Sequence, residues 1–328
     1  MPNLLFSIPR TNDPEELRSA ALMWKALKDE YGATIHPLLP DDAVVAGDVA
    51  FGLPTRLQEM ILTSPSSGNY WDMPAFTSRL SRSFKVCTLP DAELEVARLG
   101  AEGKGAFLKS LRPKYFTGGG EPGQSAGKIL GAMVYSFCDE PKPCLMVQER
   151  VSMTHEMRFV VVNGAIVAES PVLHRATPAS AMSAELRGVD LNGILYRDPA
   201  AELDEFEVRP AARSNMRDMA AAIARESCLA SGTIDIALLD GDDSRIEPIE
   251  INFGNPGRYG LYLCDPVAIA KASRALVPES ILEQSAPKRR GGIKDMMAAH
   301  IAPTAPDAPA AAAAEKGNDV VWDDGLDF

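Results

Sequence analysis

Two carboxylates and one amide stand in a pair of apolar segments late in the chain. Asp235 lies within TIDIALLD, Glu250 and Asn252 lie within IEPIEINF, and the polar stretch GDDSR separates the segments. A hairpin turn centred between Asp242 and Asp243 would set Asp235 directly opposite Glu250, with Asn252 on the face of Glu250. Opposed like charges are unfavourable in a sheet unless a cation lies between them, and oxygen ligands suit Mg²⁺. The pattern therefore predicts a magnesium site.

Two alternatives to this site remain open on the residues alone. Asp235 and Glu250 could be solvated residues on an exposed face of strands whose other residues, such as Ile234 and Ile251, are apolar. A turn centred at Gly241 would also shift the strand register and separate the two carboxylates.

A glycine-rich segment, TGGGEPGQSAGK over 117–128, follows the apolar strand GAFLKSL. Its many backbone N–H groups, unobstructed by side chains, predict a loop that cradles phosphates. The P-loop pattern fails because Ile129 replaces the required Ser or Thr. A G-x-G-x-x-G match is present, but Pro122 falls within the turn and no clear helix opens afterwards, which argues against a dinucleotide fold. A plain surface loop is the alternative.

Lys109 lies within that preceding strand. A strand-borne lysine next to a phosphate-cradling loop could neutralise phosphate charge as a compact donor. The alternative is that Lys109 occupies the solvent side of an amphipathic strand.

The segment EMRFVVVNGAIVAES predicts a second hairpin, because Asn163-Gly164 is a favoured type I′ turn. This turn would place Arg158 across from Glu169, with Glu156 on the face of Arg158. The functional interpretation assigns Glu156 to sugar hydroxyls and Arg158 to phosphate. The alternative is a surface ion pair of small energetic consequence.

The elements that must hold these residues indicate an α+β protein with a small α/β unit at its start. A strand at 3–8, a helix with Pro14 at its first turn and a second strand predict an N-terminal α/β domain over 1–85. Antiparallel hairpins, unlike a regular βαβ repeat, dominate 86–290. Residues 291–328 are rich in Ala and Pro and predict a flexible linker with an acidic tail.

The composition excludes several classes of function. The 46% hydrophobic and 24% charged residues are ordinary for a soluble protein, and the net charge of −12 disfavours nucleic acid or an anionic membrane as a partner. No apolar run is long enough to span a membrane, and the N-terminus lacks the features of a secretory signal. Five scattered cysteines without a C-x-x-C pair argue against disulfides and zinc, so we expect a cytoplasmic protein.

Taken in order, these segments resemble the ATP-grasp fold. That family has a strand lysine followed by a glycine-rich loop, a hinge strand similar to MVQERV, and an acidic residue seven positions before the ribose-binding glutamate, the spacing of Glu149 and Glu156. A late hairpin then carries an acidic residue and E-x-N. The resemblance covers roughly 85–275. It departs from the family at Thr233, where an arginine often precedes the first metal-binding acid.

The resemblance implies two α+β subdomains that clamp ATP, with a hinge near 146–152. It also implies that the carboxylate and amide oxygens hold magnesium, that the hinge lines the adenine largely through backbone atoms, and that three arginines serve the acceptor carboxylate or the phosphates. A second phosphate lysine is ambiguous between Lys114 and Lys128. The implied nucleotide residues are Lys109, Gly119, Gly120, Gly123, Lys128, Glu149, Arg150, Val151 and Glu156; the implied metal ligands are Asp235, Glu250 and Asn252; the implied substrate residues are Arg258, Arg175 and Arg158.

The activity implied is an ATP- and Mg²⁺-dependent ligase that activates a carboxylate as an acyl phosphate for attack by an amine or another nucleophile. The alternatives are a kinase-like phosphotransferase on the same fold and a non-catalytic nucleotide-binding protein. A small-molecule or peptide carboxylate and an amine-type acceptor are the expected partners. The ending VVWDDGLDF suggests docking to a partner or folding back onto the body, and homodimerisation stays open.

Overall fold

The computed structural model describes residues 3–7, 14–32, 35–38, 48–52, 69–111, 115–138, 140–172, 208–257 and 260–285. By its internal contacts the chain divides into residues 1–285 and 286–328, and the second unit lies outside the described residues, with the predicted linker and tail. None of the helices in the described ranges is both long enough and apolar enough to cross a membrane.

The chain begins with the predicted α/β unit. Strand β1 (Leu4–Phe6), helix α1 (Pro14–Tyr31), β2 (Ile35–Pro37) and β3 (Val49–Phe51) form a parallel sheet in the order β2-β1-β3. Side chains of all three strands are buried together with one face of α1. A parallel pair needs a crossover connection, and α1 supplies it between β1 and β2.

The second sheet is antiparallel, in the order β4-β7-β5-β6. It follows a 3₁₀ turn (Tyr70–Asp72) and α2 (Pro74–Thr77). Its members are β4 (Phe84–Cys87), β5 (Ala106–Ser110), β6 (Thr117–Gly120) and β7 (Leu145–Glu149), with α3 (Leu89–Ala101) and α4 (Ala126–Leu130) between them. Ala106 and Leu108 pack with the two helices. Because side chains alternate along a strand, Lys109 lies on the opposite face.

The glycine-rich segment differs from the predicted loop. Thr117–Gly120 is a strand paired with β5, and a short helix with Ser125 as its N-cap follows the turn. Gly120 allows this tight packing, since a Cβ there would lie 2.4 Å from Ile129 Cδ1. The antiparallel pairing excludes a dinucleotide-binding βαβ unit at this position.

The third sheet, also antiparallel, has the order β11-β10-β8-β9. It comprises β8 (Met153–Val162), β9 (Ala165–Pro171), β10 (Ser231–Leu239) and β11 (Ile246–Phe253). Helix α5 (Pro210–Glu226) covers the face that carries Phe159 and Ile234. The opposite face carries Arg158 and Val160, and Val160 packs in the core shared with α1 and α6 (Pro266–Ala272). Helix α7 (Glu279–Ser285) ends the described part of the chain.

The β8–β9 hairpin is confirmed, but its predicted cross-strand pair is wrong. Asn163 and Gly164 have φ angles of 50° and 74°, as a type I′ turn requires. A register shift between Val160 and Val161 then moves every later pair by one residue. Arg158 consequently lies opposite Ser170, and Glu169 lies opposite Phe159.

The β10–β11 hairpin places Asp235 opposite Glu250, as predicted, by a different route. Near the turn, Leu238 pairs with Ile246, so the turn is centred on Asp242 and not between Asp242 and Asp243. A bulge next to Asp235 adds one residue to β11 and restores the predicted pair.

Candidate active site

The second and third sheets meet at an ion pair between Lys109 and Glu250. The Lys109 ammonium on β5 bonds directly to Glu250 Oε2 on β11, and the two side chains are 21% and 24% exposed. The pair therefore joins a strand of each sheet at a position that solvent reaches.

Asn252 links the two opposed carboxylates. Its Nδ2 donates to Glu250 Oε1 at 2.8 Å and approaches Asp235 Oδ2 at 3.4 Å. The carboxylates of Asp235 and Glu250 and the amide of Asn252 thus converge on one patch, and Lys109 borders it. The structure thus brings together Lys109 and the three residues predicted as metal ligands.

Arg158 lies within the protein, which corrects the interpretation as a surface ion pair. Its Nε and Nη2 donate to the two carboxylate oxygens of Asp235 at 2.8 and 2.7 Å, and Nη1 donates to the carbonyl of Gly260 at 2.8 Å. The guanidinium also lies 5.3 Å from the Tyr262 ring centroid. With its fork bound to Asp235 and Gly260, Arg158 acts within the site on a protein carboxylate.

The charges at the cluster stabilise one another. Burial would raise the pKa of Glu250, but Lys109 and the Asn252 amide outweigh it and hold that pKa at about 2. Burial lowers the pKa of Lys109, and the charge of Glu250 more than reverses this, so the lysine pKa is raised. Burial raises the pKa of Asp235, while the two hydrogen bonds from Arg158 act in the opposite direction.

Tyr70 is a neighbour of this cluster that sequence reasoning missed. Its buried ring lies 5.7 Å from Lys109 Nζ. Trp71, the next residue in the chain, packs partly buried in the apolar core around α5. In the sequence, the one indication of Tyr70 as a site residue is the aromatic pair Tyr70-Trp71, which precedes the second sheet.

A second buried ion pair, Arg82 with Glu247, also escaped prediction. Arg82 Nη1 bonds to Glu247 Oε2, and Arg82 Nε donates to Gln148 Oε1 at 2.8 Å. All three residues are less than 7% exposed. No local pattern signals this contact, because it joins positions 66 and 165 residues apart.

Strand β7, which the sequence predicts as the hinge, ends in backbone hydrogen bonds to residues of its own sheet and the segments next to it. The N–H groups of Glu149 and Arg150 donate to the carbonyls of Ser83 and Gly105 at 3.0 and 2.9 Å. These two N–H groups are therefore already bonded within the protein and do not face the adenine that the sequence predicts for this segment. The side chain of Glu149 accepts from Lys104 Nζ at 3.1 Å.

Glu156 is buried on β8, two residues before Arg158 and on the same face. It pairs with Ala237 of β10, which in turn pairs with Glu247 of β11. Glu156, Ala237 and Glu247 thus form a cross-strand row on the sheet. This row lies next to the row formed by Arg158, Asp235 and Glu250.

The glycine segment is bound from both of its ends. Arg150 forms an ion pair with Glu121 at the turn, and its side chain passes 3.5 Å from the Cβ position of Gly119. The Glu93 carboxylate accepts from the N–H groups of Ala126 and Gly127 at 2.9 and 2.7 Å. The α4 N–H groups that were expected to face phosphate therefore hold a protein carboxylate.

The remaining predicted residues separate from the Lys109 cluster. Lys128 is exposed on α4, which packs on the face of the second sheet opposite Lys109. Gly123 occupies the exposed turn with a φ of 84°, which favours glycine. Arg258, Arg175 and Lys114 lie outside the described residues.

The donor set at the patch fits a magnesium ion. Carboxylate and amide oxygens are the ligands that Mg²⁺ takes from proteins, together with water and phosphate oxygens. In the part of the chain that the structure describes, no three His, Cys, Asp or Glu side chains cluster as a complete metal site. Asp235, Glu250 and Asn252 would therefore supply a partial set, open to ligands from a bound molecule.

Comparisons with known proteins bear on the fold. No family model matches the chain, and no curated protein matches its sequence. Among solved structures, the chain is similar to D-cycloserine synthetase DcsG, with 12% identity and a TM-score of 0.52 over 84% of this chain and 99% of that one.

Two further structures agree. D-alanyl-alanine synthetase A from Vibrio cholerae O1 biovar eltor matches with 14% identity and a TM-score of 0.52, over 86% of this chain and 99% of that chain. D-alanine–D-alanine ligase from Bacillus anthracis matches with 12% identity and a TM-score of 0.50, over 87% and 99%. These matches cover nearly the full length of each relative and most of this chain. The chain has the ATP-grasp fold.

Proposed function

We propose that this protein is an ATP- and Mg²⁺-dependent ligase that activates a carboxylate as an acyl phosphate for attack by an amine or another nucleophile. The observation that carries the proposal is the convergence of Lys109, Glu250, Asn252 and Asp235 where the two antiparallel sheets meet. A lysine facing two carboxylates and an amide is the arrangement that can hold a triphosphate together with a divalent cation.

In the proposed reaction, a carboxylate oxygen of the acid attacks the γ-phosphorus of ATP, and the bond to the ADP oxygen breaks. The nitrogen of the amine then attacks the acyl carbon, inorganic phosphate leaves, and the amine loses a proton as the amide forms. Lys109 supplies positive charge to the phosphates, and positioning supplies most of the remaining rate enhancement.

Magnesium, held by Asp235, Glu250 and Asn252, would neutralise phosphate charge when it is bound. Arg158 keeps the Asp235 carboxylate in place through two hydrogen bonds. Lys109 would exchange its bond to Glu250 for bonds to phosphate oxygens. These roles use only groups that already lie together.

The other assignments extend this proposal. Glu156 is the proposed ribose ligand, Val151 and its neighbours the adenine lining, and the segment of Gly119 and Gly120 the cover of the triphosphate. Arg175 and Arg258 are proposed for the acceptor carboxylate. The hinge near 146–152 would divide an ATP-grasp domain over 86–290 that follows an N-terminal domain over 1–85.

The names of the three similar proteins support ligation as the reaction class, since each is called a ligase or a synthetase. A small-molecule or peptide carboxylate and an amine-type acceptor are the proposed substrates. The charge of −12 argues against nucleic acid as a partner, and the scattered cysteines support a cytoplasmic location.

An isotope experiment tests the acyl-phosphate route. Carboxylic acids labelled with ¹⁸O in the carboxylate are screened with amines in the presence of ATP and Mg²⁺, and the released phosphate is analysed by mass spectrometry. One labelled oxygen must appear in inorganic phosphate, because the attacking oxygen stays with phosphorus. Release of unlabelled phosphate would contradict the proposal.

The same assay separates the alternatives. A kinase-like phosphotransferase would yield a stable phosphorylated product without inorganic phosphate, and a non-catalytic protein would bind ATP without turnover. Glu250→Gln keeps the shape of the side chain and should abolish turnover. Full turnover by that variant would remove the metal assignment.

A further inference from the structure

The bulge in β11 decides which residue faces the candidate site. Glu247 pairs with Ala237, so in an undisturbed strand Ile249 would lie opposite Asp235, and Glu250 would point toward α5. The extra residue places Glu250 opposite Asp235 instead. A bulge costs ladder hydrogen bonds and can slip, so its neighbours must hold it.

Arg82 and Ser81 hold the two residues just before this bulge. Arg82 bonds to Glu247 through Nη1, and its Nη2 donates to the Pro248 carbonyl at 3.0 Å. The backbone N–H of Ser81 donates to Glu247 Oε1 at 2.7 Å, and its hydroxyl bonds to the same oxygen. Arg82 is 5% exposed and Glu247 is 2% exposed, so the ion pair between them is buried, whereas Ser81 is exposed.

The same guanidinium also reaches the other sheet. Arg82 Nε donates to Gln148 Oε1 on β7 at 2.8 Å. Strand β7 pairs with β5, where Met146 lies opposite Lys109. One side chain therefore bonds to the sheet that carries Lys109 and to the strand that carries Glu250.

The chemistry of arginine matches this task. The planar guanidinium carries five N–H donors in a fixed fork, and here the donors address a carboxylate, a backbone carbonyl and a side-chain amide. A buried ion pair is seldom needed for stability alone, because apolar residues of similar volume often serve as well. The direction of its hydrogen bonds is what an apolar replacement cannot reproduce.

We propose that Arg82 is a positioning residue for the magnesium–ATP site: it fixes the β11 bulge, and through it the Glu250 carboxylate, against the strand that carries Lys109. The nature of the ligand rests on the proposed function, whereas the effect on β11 does not.

The first test is hydrogen exchange of the protein without ligand. Arg82→Lys keeps the charge opposite Glu247 but cannot form the three-way fork, and Arg82→Met removes both. The control is Arg79→Met, three residues earlier, which removes a two-bond pair with Glu226 that does not involve β11. We expect faster amide exchange over 246–253 in both Arg82 variants and unchanged exchange there in the control. Should Arg82→Met fail to fold, Arg82→Lys alone decides the outcome.

The second test is the magnesium dependence of nucleotide binding, measured by calorimetry with ATP at a series of Mg²⁺ concentrations. Loss of a residue that orients a metal ligand typically weakens metal affinity by about 10–100-fold. We therefore expect the half-saturating Mg²⁺ concentration to rise by about tenfold or more in the Arg82 variants, while binding of ATP in EDTA changes by less than about threefold. Arg79→Met should match wild type in both.

The outcomes are separable. Folded Arg82 variants with wild-type exchange over 246–253 and wild-type magnesium dependence would overturn the positioning role. If the wild-type protein binds no ATP at any Mg²⁺ concentration, the proposed function is overturned instead. This result concerns the wild-type protein alone, so it cannot be confused with an effect of the Arg82 variants. Faster exchange over 246–253 would still support the positioning of β11 in that event.

Discussion

Arg158 places a permanent positive charge beside Asp235 in the interior of the protein. Removing one partner of a buried pair leaves the other charge uncompensated, which typically costs about 3–5 kcal/mol. We expect Arg158→Met to lose stability in this range by urea unfolding. Arg213→Met, which removes one surface contact with Glu169, should lose less than about 1 kcal/mol. Equal losses in the two variants would show that the Arg158–Asp235 pair has no special role.

The buried thiol of Cys87 should make the stability of the protein depend on pH. Burial raises the pKa of its thiol to about 11, and the nearby Lys85 opposes this only in part. The pKa of this thiol is higher in the folded than in the unfolded protein. The buried neutral thiol therefore contributes fully to the free energy of unfolding below about pH 8.5, and this contribution is lost as pH rises toward 11, because the thiol then ionises in the unfolded chain. At pH 8, iodoacetamide should modify the exposed Cys138 well before Cys87, as followed by peptide mass spectrometry. Equal labelling rates would contradict the prediction.

The glycine segment gives a prediction for a structural element. A Cβ at Gly120 would lie 2.4 and 2.5 Å from Ile129 Cδ1 and Cγ1, whereas a Cβ at Gly119 would meet Arg150 at 3.5 Å, an ordinary contact. Gly120→Ala should therefore cost about 1–3 kcal/mol through overpacking. Gly119→Ala, in the same strand, should be neutral within about 1 kcal/mol. Thermal unfolding of the two variants measures the difference, and a reversed order would contradict the packing described.

At this scale, most elements were predictable, and their exact registers were not. The Asn163-Gly164 turn announces a hairpin because both positions need a positive φ. The bulges in β9 and β11 follow from packing and from contacts distant in sequence, which no local pattern encodes. Asp235, Glu250 and Asn252 lie in one hairpin, so their spacing along the chain predicts that they meet. Tyr70 and Arg82 reach the site through contacts distant in sequence, so no local pattern predicts them.

At the scale of the whole molecule, a ligand that contacts both antiparallel sheets should bind the folded protein and not the unfolded chain. Such a ligand raises the free energy of unfolding. At a hundred times Kd, such a ligand contributes about 2.7 kcal/mol, which corresponds to a rise in Tm of roughly 5–10 °C for a domain of this size. We expect this rise with ATP and Mg²⁺ by scanning calorimetry, and a much smaller one with ATP and EDTA. Equal shifts under both conditions would contradict a role for the cation in binding.

The N-terminal α/β unit is bonded to residues far along the chain. Asn255 Nδ2 donates to the Ala50 carbonyl at 2.7 Å, and the Leu261 N–H donates to Ser19 Oγ at 2.7 Å. The core around α1 also includes Ile269 and Ile281. These contacts follow directly after the E-x-N strand, so they tie the first unit to the segment next to the candidate site.

This arrangement has a consequence for synthesis on the ribosome. The first fifty residues emerge early, yet the partners that cover their apolar surface are translated more than two hundred residues later. Part of the apolar core of the N-terminal unit therefore stays exposed until those later residues are translated. Contacts between residues so distant in sequence also form slowly. Chaperone dependence during translation is therefore expected to concentrate on the beginning of the chain.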